Sequence, residues 1–100
     1  MPSILIVDDE PNIRRMVGAL LSAEGYEVRD AQDGAAGLAR ALESEPDVLL
    51  LDLMMPGELD GLATLARLRE RLPDVPVVMM SGRAGLSVEP AVTTMAVQPT

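Results

Sequence analysis

Histidine, cysteine, lysine, tryptophan and phenylalanine are all missing from this chain of 100 residues, and a single tyrosine is its whole aromatic complement. Without histidine, the Ser-His-Asp and Cys-His nucleophile systems, imidazole zinc sites and the usual general base are excluded. Without cysteine there is neither a disulfide framework nor a thiolate metal site, and a reducing compartment is permitted. Eight arginines face sixteen acids for a net charge of -8. With no basic stripe and no ring to stack a base, direct nucleic-acid binding is not expected; the acidity suits a protein that collects cations or meets a basic partner. The opening residues, "MPSILIVDDEP", carry no basic leader, and their apolar run is too short for a signal peptide or a membrane span. The chain reads as soluble and cytoplasmic, with no membrane partner.

What is present is aliphatic. Apolar residues make up 48% of the chain, enough for the core of one small domain, and seven methionines add adaptable filling.

Their order is regular. "SILIV" (3 to 7) is a continuous run stopped by "DDEPN", as expected of a buried strand entering a turn. Ile13, Met16, Val17, Leu20 and Leu21 then recur at helical spacing, with Pro11 at the start and Gly25 at the stop. "YEVRDA" (26 to 31) alternates as a half-covered strand does. Asp33-Gly34 opens a second helix through Leu38, Ala41 and Leu42, which ends near Pro46. "DVLLLD" (47 to 52) is a third strand. Leu62, Leu65, Leu68 or Arg69, and Leu72 mark a third helix stopped by Pro73, and "VPVVMM" (75 to 80) is a fourth strand. Strands alternating with helices in this way predict a parallel sheet with right-handed crossovers covering both faces. Beyond Ser81 the pattern decays, leaving room for a short fifth strand around Thr94 to Val97.

In a parallel sheet, ligands bind outside the carboxyl ends of the strands where the strand order reverses. Asp8 and Asp9 follow the first strand, Asp52 ends the third and Ser81 follows the fourth. Asp52 is the anomaly, because it interrupts the apolar stretch "DVLLLDLMMPG", and an ionised carboxylate buried without a partner costs several kcal/mol. Carboxylates gathered at one edge repel each other unless a cation sits between them, and a hard divalent ion such as Mg²⁺, held by carboxylates and phosphate oxygens, resolves the repulsion. With such an ion, Asp52 can act as a nucleophile toward a phosphoryl group, while Ser81 supplies a hydroxyl.

Three segments, "ILIVDDEP", "DVLLLDLMMPGELDG" and "VVMMSG", with Asp9 and Asp52 43 positions apart and Asp52 and Ser81 29 apart, resemble the receiver domain of two-component response regulators. The resemblance covers residues 3 to about 83. It implies a flavodoxin-like, doubly wound α/β fold with a sheet in the order 2-1-3-4-(5), incomplete after strand four. It further implies that Asp52 is the phosphoacceptor and that Asp9 is a direct Mg²⁺ ligand. Asp8 would be a second acid at the ion, reached through water, and Met54 a ligand through its backbone carbonyl. Ser81 would be the switch hydroxyl, and a sensor histidine kinase the phosphoryl donor. The loop and third helix are most similar to receivers attached to bacterial transcription activators.

The departures lie late in the chain. The family carries a lysine and an aromatic switch residue on strand five. Here Gln98 is the nearest analogue of the lysine, and the sole aromatic, Tyr26, falls on strand two. The expected division is a receiver core over 1–83 and an irregular or altered segment over 84–100. Two other readings stay open: a phosphorylation-silent interaction or dimerisation module, and an aspartyl-phosphate hydrolase, against which stands Met54, where such enzymes place a second acid. Asp8-Asp9 alone would pass for a solvated, helix-capping turn, Asp60 for the cap of helix three, and Met54, Met55, Met79 and Met80 for packing. With strand four left open at its edge, a homodimer through strand four and the C-terminal segment is expected.

Overall fold

The structure, a computed structural model, describes residues 1–56, 60–81 and 85–89. Five strands, β1 (Ser3–Val7), β2 (Glu27–Ala31), β3 (Val48–Asp52), β4 (Val77–Ser81) and β5 (Gly85–Glu89), form one sheet in the order β2-β1-β3-β4-β5. The first four pair in parallel, as expected of strands joined by the helices α1 (Pro11–Ala23), α2 (Gly34–Glu43) and α3 (Gly61–Arg71). This is the doubly wound, flavodoxin-like arrangement.

Alternation along each strand sorts the side chains to two faces. Leu5, Val7, Leu49, Leu51, Val77 and Met79 join Ala41 of α2 and Leu65 and Leu68 of α3 in one buried cluster. The close approach of α2 to Val7 needs glycine, since a Cβ on Gly37 would meet a Val7 methyl at 2.7 Å. Ile6, on the opposite face, lies beneath α1, where a Cβ on Gly18 would stand 3.9 Å from its Cδ1.

The ends of the helices follow from local chemistry. Pro11 sits in the first turn of α1, and Gly25 at φ 97° closes the other end in the left-handed conformation that other residues resist. Asp33 caps α2 by accepting from the Ala36 amide at 2.8 Å, and Asp60 caps α3 through the Ala63 amide at 2.9 Å, as expected. Arg29 reaches from β2 to the carbonyls of Arg40 and Ser44 at 3.1 and 2.6 Å, so a cation meets the carbonyl end of α2. Arg69, buried with Leu68, donates to the Val75 carbonyl at 2.6 Å and anchors the turn into β4.

Four expectations are corrected. The fifth strand lies at Gly85–Glu89 and runs antiparallel to β4, with Ser81 opposite Gly85. A short connection can form only a hairpin-like return, whereas a parallel strand would need a crossover; Thr94 to Val97, like Gln98, lie outside the described residues. β4 therefore has a hydrogen-bonded neighbour on its outer edge, which removes the open edge from the argument for a dimer. The apolar stripe of α1, which packs on β1 and β2, buries no residue fully, and Met16 and Leu20 are 54% and 63% exposed. Leu62 at 58% and Met54 at 67% exposed are likewise not core residues, unlike Met55 and Met79, which are buried.

Candidate functional site

Because β1 is followed by β2 on one side and β3 lies on its other side, the strand order reverses between β1 and β3. The residues emerging at the carboxyl ends of these two strands are Asp8, Asp9 and Asp52. One oxygen from each of the three carboxylates lies within 4.8 Å of the others. The three acids singled out in the sequence are thus brought to one place. That place is the carboxyl-end edge of the sheet, between β1 and β3.

Each acid is held differently. The Asp8 carboxylate is buried and accepts from the Glu10 amide at 2.8 Å, while its own amide donates to the Ala31 carbonyl at the end of β2. The turn is neither solvated at Asp8 nor a helix cap: the N-cap position of α1 is Glu10, with no side-chain cap, and Asp8 instead closes a local turn ahead of the helix while belonging to the cluster. Asp9 is exposed. Asp52 is half-buried, accepts from the Met54 amide at 3.0 Å, and is followed by Leu53, whose amide extends the ladder to Met80 at 2.9 Å.

Burial raises the Asp52 pKa above the ordinary 3.8, the Met54 amide lowers it, and the Asp8 and Asp9 carboxylates beside it push it up further. An acid that binds its proton more tightly when folded makes the folded state the more protonated one in the window between its ordinary and its raised values. Stability of the metal-free protein should therefore fall as pH rises from about 3.8 through that window, then level off. In Asp52→Asn this fall should be diminished. Thermal melts of both proteins in EDTA across that range test it, and an identical decline in the variant would mean that other groups carry the dependence.

Arg14 was not read from the sequence. From the first turns of α1 it donates to the Asp8 carbonyl at 2.8 Å and pairs with Asp30 at 3.3 Å, so it fastens the acidic turn to helix and sheet together. The sole signal was a cation one turn past Pro11, which by itself reads as a solvated side chain. Ser81 closes β4, one strand from Asp52, but its hydroxyl lies outside what the structure describes. Met54, two residues after Asp52, has an exposed side chain and donates its amide to Asp52 Oδ1.

A parallel sheet in the order 2-1-3-4 whose strand order reverses at these acids defines a doubly wound α/β domain, a class that binds its ligands at that switch point. The profile described as response regulator receiver domain matches residues 4–97, so the chain belongs to the response regulator receiver family, over a longer stretch than the motifs alone indicate. It is 46% identical over 83 residues to the DNA-binding dual master transcriptional regulator RpaA of Synechocystis, a match covering 81% of this chain and 34% of that protein. It is 43% identical to the nitrogen assimilation regulatory protein NtrX of Azorhizobium caulinodans, covering 83% of this chain and 18% of that one. The matched part is thus about a third or less of these relatives. Among solved structures, the receiver domain of NtrX from Brucella abortus superposes with a TM-score of 0.77 at 44% identity, covering 81% of this chain and 68% of that one. The response regulator TrrA of Thermotoga maritima, in complex with Mg(2+)-BeF, does so with 0.79 at 34% identity, covering 84% and 72%.

Proposed function

We propose that this chain is a phosphoacceptor receiver: Asp52 takes a phosphoryl group from the phosphohistidine of a sensor histidine kinase, with Mg²⁺ held by Asp8, Asp9, Asp52 and the Met54 carbonyl. The observation that carries this reading is the convergence of three carboxylates within 4.8 Å at the switch point. Like charges so close, one with a raised pKa, make a donor set suited to a hard divalent cation. Bound there, Mg²⁺ would offset the charge of the acids and of the phosphoryl oxygens.

The residues perform the remainder. An Asp52 oxygen forms the new O–P bond as the P–N bond of the donor breaks, and the donor imidazole nitrogen keeps that electron pair. The Met54 amide, bonded to Asp52 Oδ1, fixes the rotamer of the nucleophile and leaves its second oxygen for attack. Ser81, at the end of the neighbouring strand, would close on the phosphoryl group. Acetyl phosphate with Mg²⁺ should leave about one phosphate per chain, and EDTA should prevent it. A continued release of inorganic phosphate at many equivalents per chain would instead favour the hydrolase reading.

A phosphorylation-silent module is the second reading, favoured by the absence of lysine. A phosphoryl group shifts two conformations only by its differential affinity for them, so a receiver without lysine and strand-five aromatic should be weakly coupled. The receiver core is assigned to residues 1–83, and the relatives' DNA-binding activity is not extended to it. No helix among the described residues is long and apolar enough to cross a membrane.

The dimer takes a different route from an open β4 edge. Leu50 and Val78 stand in register with Ile6 on the α1 side of the sheet, only half-buried, and Met16 and Leu20 of α1 are exposed. A second copy covering this face would bury that apolar surface. Sedimentation equilibrium at roughly tens of micromolar should show a dimer that Leu20→Glu dissociates. A monomeric parent chain would contradict this.

A further inference from the structure

The start of α3 lies directly on the peptide that carries Asp52. A Cβ on Gly61 would stand 2.5 Å from the Asp52 carbonyl oxygen, 2.6 Å from Leu53 Cα and 3.0 Å from Leu53 C. All three are backbone atoms, so none can swing aside as a side chain would. On its other side the same peptide is fixed by the Leu53 amide bonded to Met80 at 2.9 Å. The first turn of α3 is itself held down, with Asp60 accepting from Ala63 through its side chain and from Thr64 through its carbonyl. The Asp52–Met54 segment is thus clamped between β4 and a helix start that only glycine permits to come so near.

We propose that Gly61 is a positioning residue for the acid cluster: its missing side chain lets α3 seat against the Asp52–Leu53 backbone and so sets where the Asp52 carboxylate and the Met54 carbonyl stand. This rests on the metal-binding reading of the cluster. A methyl group at position 61 must displace either α3 or the Asp52 peptide by several tenths of an ångström, and groups that orient metal ligands typically account for about ten- to a hundred-fold in affinity. Leu68 is fully buried in the core on the same helix two turns on, so Leu68→Ala is the control for general loosening of α3.

Isothermal titration of the full 100-residue chain with MgCl₂ is the test. Gly61→Ala should raise the Mg²⁺ Kd about ten-fold or more, while Leu68→Ala lowers the melting temperature and leaves Kd within about two-fold of the parent. An unchanged Kd in Gly61→Ala, or an equal rise in both variants, would overturn the proposal. Where Gly61→Ala does not fold, Asp60→Ala frays the same first turn and should weaken Mg²⁺ at least about three-fold; no change there overturns it equally. If the parent chain binds no Mg²⁺, the metal reading fails by itself. The clamp is then read from hydrogen exchange of the Met54 amide, which Gly61→Ala should accelerate and which would stay as slow as in the parent if Gly61 had no positioning role.

Discussion

Asp9→Ala is expected to lose Mg²⁺ affinity by about ten-fold or more and, in the absence of metal, to melt at a higher temperature than the parent. Both halves follow from one arrangement. Asp9 is the exposed member of a cluster whose oxygens lie within 4.8 Å. Two unit charges about 4 Å apart interact by roughly 1 kcal/mol in bulk water and about 4 kcal/mol near a protein surface. A divalent ion doubles the attraction that the variant forfeits, and with no ion the same removal relieves repulsion against Asp8 and Asp52. Asp9 also raises the Asp52 pKa, both as a neighbouring charge and as a hydrogen-bonding neighbour. Its removal should therefore bring Asp52 down toward its ordinary value and flatten the decline of metal-free stability with pH. Titration calorimetry and a thermal melt in EDTA test the two halves separately. Loss of stability without metal would make Asp9 a structural residue.

How much of this was legible depends on what each residue competes against. The runs "SILIV" and "DVLLLD" announced β1 and β3 because a short continuous aliphatic run bounded by turn residues suits a central strand of a parallel sheet, although β3 is fully buried on one face only. The acids that follow Val7 and Leu51 then had to sit at strand ends. Strand order placed those ends together. What sequence could not give was the environment of each acid: Asp8 is buried and bonded to the Glu10 amide, and Arg14 grips its carbonyl, features that depend on a turn and a helix direction. The apolar spacing of α1 predicted a buried face, yet periodicity says only that a face is apolar and not that something covers it, and Met16 and Leu20 are exposed. Past Ser81, scattered Gly, Ser and Pro gave no period to read, so the antiparallel β5 at Gly85–Glu89 went unseen. Gly61 read as an ordinary loop-to-helix glycine; its role is a distance to the Asp52 backbone, which no spacing rule contains.

Asp52→Asn should abolish phosphoryl acceptance altogether, the largest effect expected of any single substitution. The amide that replaces the carboxylate keeps its size and can still lie beside the Met54 amide, so the fold is preserved while the nucleophilic oxygen is lost. No other described acid is equivalently placed: Asp8 already accepts from Glu10 and has its turn tied by Arg14, and Asp9 lies exposed beyond β1. The raised pKa of Asp52 is compatible with attack at neutral pH, because any divalent ion bound among the acids would favour the ionised form. The most direct measurement is intact-mass spectrometry with peptide mapping after incubation with acetyl phosphate and Mg²⁺. The account predicts one Mg²⁺-dependent adduct of roughly 80 Da on the peptide containing Asp52 and none in Asp52→Asn; an adduct that persists unchanged in that variant, or no adduct in the parent chain, would contradict it.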